Sequence, residues 1–69
     1  SQVSGLAGIA MWINNYFNLS DDKKIDKKDK RVAIIKEWVD SLYNEGRTTT
    51  ISDEELEAAV KRLAPDILE

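Results

Sequence analysis

No cysteine and no histidine occurs anywhere in these 69 residues. That double absence removes the disulfide staples and the zinc, haem or iron–sulfur ligands on which many chains of this size depend. The fold must therefore rest on apolar packing alone, with self-association as the remaining support. A chain this short buries only about 60% of its unfolded surface and makes a single domain. The 42% hydrophobic fraction, with two Trp and two Tyr, is that of a globular domain. A cysteine-free chain also fits a reducing, cytoplasmic interior.

Three apolar segments carry helical spacing. Leu6, Ile9, Ala10, Ile13 and Phe17 form one stripe, widened by Trp12, Tyr16 and Leu19. Ser4 is the expected N-cap of this helix, Asn14, Asn15 and Asn18 its wet side, and Ser20-Asp21-Asp22 the break after it. In the second segment Val32, Ile35, Val39 and Leu42 recur at spacings of 3, 4 and 3, flanked by Ile34, Trp38 and Tyr43. Several aspartates between Asp22 and Asp29 could cap this helix, and Gly46 stands where a left-handed residue would end it. After an extended connection, Arg47 to Thr50, the stretch Ser52-Asp53-Glu54-Glu55 is a capping box with Ile51 and Leu56 at the staple positions. Leu56, Ala59, Val60 and Leu63 make its inner face, Pro65 stops it near Ala64, and Ile67 is expected to fold back on the core. The expectation is an all-α protein: one domain over residues 1–69, a three-helix bundle with helices at about 4–18, 24–45 and 53–64.

The net charge of −3 is segregated. Residues 1–20 carry no charged side chain, residues 21–50 carry eight basic and seven acidic groups, and residues 51–69 carry two basic and six acidic. Nucleic-acid affinity comes mainly from neutralised phosphates, and this balance makes nucleic acid an unlikely partner. The basic stretch Lys23 to Arg31 is threaded with Asp21, Asp22, Asp26 and Asp29. Read as a helix-turn-helix, Ser52 to Ala64 would turn three carboxylates toward the DNA, which leaves a DNA-binding regulator as the weakest alternative. The apolar run from Gly5 to Ile13 is too short to span a bilayer and lacks the basic flank of a signal peptide.

Catalysis finds no inventory. There is no histidine base or cysteine nucleophile, the serines sit at termini, caps or solvated positions, and Asp53, Glu54, Glu55 and Glu57 read as a solvated first turn. The aspartates at 21, 22, 26 and 29 have lysines in the intervening places and lack the glycine of a calcium loop. The chain is therefore expected to be no enzyme and to hold no cofactor or metal. What stands out is surplus apolar surface on the first helix. Met11, Trp12 and Tyr16, completed by Trp38 or Tyr43, form the expected partner-binding patch for another protein or a second copy of the chain.

The second half resembles the soluble part of phage holins of the LL-H type. The matching residues are Lys27-Lys28, Ala33 and Leu42, then Ile51 to Leu56, then Glu57-Ala58-Ala59-Val60-Lys61, within residues 27–63. The membrane span that precedes this part in the family has no counterpart in residues 1–20. The resemblance implies a phage-derived, non-enzymatic interaction module. Its alternative is a membrane-associated lysis accessory whose uncharged first helix lies on lipid.

Overall fold

A computed structural model describes residues 3–69. Three α-helices follow one another, α1 (Leu6–Tyr16), α2 (Lys30–Asn44) and α3 (Asp53–Leu63), and a 3-10 turn covers Pro65–Leu68. The protein is all-α, with α2 packed against both α1 and α3. Seven side chains are fully buried where the helices meet: Ile9 and Ile13 from α1, Val32, Ile35 and Val39 from α2, Leu56 and Val60 from α3. Each contributes about 1.5–3 kcal/mol of transfer free energy. Ile67 is buried at 3% exposure, because the turn at Pro65 folds it back onto the core.

The helix ends depart from the sequence reading at three places, each for a local reason. Gly5, not Ser4, caps α1, with no side-chain hydrogen bond. That helix stops at Tyr16, short of residue 18, because Asn18 adopts a left-handed φ of 51°. The N–H of Asn18 then donates to the carbonyl of Asn15 at 3.2 Å and that of Leu19 to Asn14 at 3.0 Å, the paired closure of a Schellman motif. Asparagine tolerates this conformation better than other residues with a Cβ. The same closure ends α2, where Gly46 stands at φ 109°, and the N–H groups of Gly46 and Arg47 reach Tyr43 and Leu42.

The third departure is the start of α2, at Lys30 instead of near residue 24. Asp26 accepts the backbone N–H of Lys28 at 2.8 Å, holding a turn that competes with helix. Asp29 is the cap, accepting the N–H of Arg31 at 2.8 Å. The guanidinium of Arg31 grips the Asp29 carboxylate at 2.7 Å and reaches Asp66 at 3.2 Å. That grip holds the Asp29 pKa down to about 2.

Ahead of this cap, residues 17–29 run as turns across the bundle. Their one buried side chain is Ile25, and Asn14 of α1 fastens it. The Asn14 side chain donates to the Ile25 carbonyl at 2.8 Å and accepts the Ile25 N–H at 2.9 Å. An amide expected on the wet side thus acts as a stand-in for a neighbouring backbone strand.

Candidate functional site

Along the outer face of α1 runs an open groove of about 620 Å³. Gly5 and Gly8 form its floor, and Met11, Trp12, Asn15 and Tyr16 its sides. The floor is low because a Cβ at Gly5 would meet no atom within 4 Å, and one at Gly8 only Val3 Cγ1 at 3.9 Å. Met11 is 63% exposed and Tyr16 39%.

The groove's aromatic wall is held by ring packing and by two hydrogen bonds. The Trp12 and Tyr16 rings stack with centroids 4.5 Å apart and 14° between planes. Phe17 meets both edge-on, at 5.9 and 5.2 Å. Such pairs add about 0.5–1.5 kcal/mol each beyond area burial. The polar tips point to α3, where Trp12 Nε1–H donates to Asp53 Oδ1 at 3.0 Å and the Tyr16 hydroxyl donates to Glu57 Oε1 at 2.8 Å. The hydrogen bond to Glu57, with the charges of Glu54 and Asp53 nearby, raises the Tyr16 pKa. Glu57 is lowered in turn, first by Lys61 and then by Tyr16.

Of the five residues singled out from the sequence, the structure brings three together. Met11, Trp12 and Tyr16 line the groove. Trp38 and Tyr43 do not. They are half-buried against the core on α2, and the Tyr43 hydroxyl donates to the Thr49 carbonyl at 3.2 Å. Sequence reasoning did not include Gly5, Gly8 and Asn15 in the patch. The signal was present, since two glycines three apart and an amide seven further on share one helical face with Met11 and Trp12.

Carboxylates elsewhere are engaged in structure. Arg47 donates two hydrogen bonds to Glu55, at 2.6 and 2.7 Å, and binds the carbonyls of Thr49 and Thr50. With the Ser52 N–H as a second donor, the arginine holds the Glu55 pKa down to about 2. Among the described residues no group of three or more carboxylates is placed to hold a metal ion, and no buried side-chain polar atom lacks a partner.

Comparison with known proteins finds relatives that carry an enzyme's name. The chain is 48% identical over all 69 residues to a citrate (Re)-synthase of Clostridium kluyveri, of which it covers 15%. It is 48% identical over 64 residues, 93% of its length, to a citrate (Re)-synthase of Syntrophus aciditrophicus, of which that match covers 10%. No protein-family model matches the chain, and no solved structure matches it. The relatives overturn the expectation of a phage-derived, non-enzymatic module and of a chain unconnected with an enzyme. The holin resemblance falls with it, because it rested on a capping box and an alanine-rich amphipathic run that many helices share. The lysis-accessory alternative loses its basis too, and no helix among the described residues is long and apolar enough to cross a membrane. Counting catalytic side chains could not reveal this similarity for a physical reason: a stretch matching 10–15% of an enzyme's length need hold none of its reacting groups. The chain is similar, over all of its length to one and nearly all to the other, to a small stretch of two proteins named citrate (Re)-synthase.

Proposed function

We propose that these 69 residues form a helical part of an enzyme of the citrate (Re)-synthase kind, and that their contribution is positional. The observation that carries this reading is the 48% identity over an alignment that spans all 69 residues. Chemistry within the chain supports the positional role. Asp29, Glu55 and Glu57 are tied to Arg31, Arg47 and Lys61 as caps and ion pairs, with their pKa values lowered. A carboxylate held ionised in this way is poorly suited to general acid–base work near neutral pH. On this reading the groups that make citrate lie elsewhere in the enzyme. The compartment is the cytoplasm, where a cysteine-free fold needs no oxidising surroundings.

The test is a transplant. This chain replaces the matching stretch of the Clostridium kluyveri enzyme, and citrate formation and its stereochemistry are assayed. The expected result is citrate of unchanged stereochemistry at a rate within about tenfold of the parent. A chimera that folds and assembles like the parent yet forms no citrate would overturn the reading.

A further inference from the structure

We infer that the α1 groove is the surface by which this helical unit docks on the rest of the enzyme. The segment it receives is apolar along its centre, with lysine or arginine on the edge that meets α3. The inference rests on the reading of the chain as part of a larger enzyme.

Three observations carry it. First, α1 has no charged residue from Leu6 to Tyr16, although only Ile9, Ala10 and Ile13 are buried. A helix facing water on one side carries charged or strongly polar residues there. The outer face of α1 instead carries one amide, Asn15, among Gly5, Gly8, an exposed Met11 and the stacked aromatic wall. A groove with exposed apolar walls and no charged side chain of its own offers a place for another surface to dock. Second, the edge toward α3 is acidic. Asp53 and Glu57 accept from Trp12 and Tyr16, and Glu54 adds its charge beside them. Lys61 offsets one of these charges through Glu57, leaving the edge net negative. The complementary surface is basic. Third, the chain covers 15% of one relative and 10% of the other, so most of either enzyme lies beyond it and can supply the occupant.

A second copy of the chain fits less well. In a two-fold dimer the same patch faces itself, which gathers the acidic edges of both copies into one interface with no basic edge to meet them. Like charges gathered in this way oppose association.

Met11 is the chain's single methionine and lies in the groove, which makes it a reporter. Its rate of oxidation by dilute peroxide is measured by peptide mass spectrometry in the free chain and in the chimera described above. Docking predicts oxidation slower by about tenfold or more in the chimera, since protection follows the fraction of undocked molecules. Equal rates in the two would overturn the docking surface while citrate formation leaves the enzyme reading standing. A folded chimera that makes no citrate overturns the reading, and this inference with it. Gly8→Arg fills the groove at a position with open space, and in the chimera it should return Met11 to the free-chain rate. Glu54→Lys should do so in part, with Glu37→Lys, an exposed position on α2, as the control. Protection unchanged by Glu54→Lys would overturn the basic edge of the segment. A free chain that is dimeric by light scattering, with Met11 already protected, would make a second copy the occupant and overturn the inference.

Discussion

Helices α1 and α3 are both eleven residues long and each buries three side chains, but they are held by different means. In α3 the capping box is complete: Glu55 N–H donates to Ser52 Oγ at 3.1 Å and Ser52 N–H to Glu55 Oε1 at 3.0 Å. Three acids fill its first turn and two bases its last, so both ends suit the helix dipole. In α1 a bare glycine stands at the N-cap, and neither terminal turn carries a charge. Its anchors lie far along the chain, on Ile25, Asp53 and Glu57. One helix is specified by its own sequence and the other by what surrounds it.

The sharpest way to break α1 alone is to remove its clamp. Asn14→Ala leaves both the N–H and the carbonyl of Ile25 without their partner, and the partly buried site hydrates them poorly. The expected cost is about 2 kcal/mol, read by urea unfolding. Asn15, exposed and one position on, is the control, with Asn15→Ala expected to stay within about 0.5 kcal/mol. Equal effects would mean that the clamp contributes nothing beyond helix propensity.

This difference decides what the sequence made legible. The limits of α3 were readable because each signal sits within four residues of the end it marks: Ser52, Glu55, Pro65. The all-α class and the buried stripes of α1 and α2 were readable from spacing for the same reason. The start of α2 was not, because Asp26 and Asp29 are equally good caps on paper. Only the packing of Ile25 and the reach of Arg31 to Asp66 select the later one. Surplus apolar surface pointed to Met11, Trp12 and Tyr16. It could not separate them from Trp38 and Tyr43, whose half-burial depends on how α2 lies against its neighbours. The similarity to proteins named citrate (Re)-synthase left no trace in residue types, since the caps and ion pairs that use the carboxylates are those of any helical unit.

On the α3 side the expected losses are smaller and local. Ser52→Ala should cost about 1 kcal/mol, leaving the Glu55 N–H unpaired. Acid attacks the other half of the same box. The Glu55 pKa falls from its ordinary 4.5 to about 2 in the folded chain, and that of Asp29 from 3.8 to about 2. Both are depressed, so the stability they add is fully present above about pH 4.5. It is lost as pH falls from there through about 2. Urea midpoints measured across that window should decline for the parent. They should decline less for Glu55→Gln, which has no proton to take up. An identical slope in the two would assign the acid sensitivity to other groups.

The smallest expected change has the opposite sign. Gly8 lies inside α1, and a Cβ there would meet nothing nearer than Val3 Cγ1 at 3.9 Å. Gly8→Ala should therefore stabilise the free chain by about 0.5–1 kcal/mol, through reduced backbone freedom in the unfolded state. Thermal unfolding would register this as a rise of a few degrees, roughly 4–8 °C per kcal/mol for a chain of this size. A glycine at this site therefore lowers the stability of a helix that also lacks a side-chain N-cap and terminal charges. Its use is to keep the groove floor at the level of the backbone, where a docked segment can come close. The same substitution in the chimera raises that floor by a methyl group, so on the docking proposal it should stabilise the helix and loosen the docking together. Stabilisation of the free chain with faster Met11 oxidation in the chimera would separate the two roles of α1. A methyl group that leaves the oxidation rate unchanged would show that nothing approaches the α1 backbone closely at Gly8.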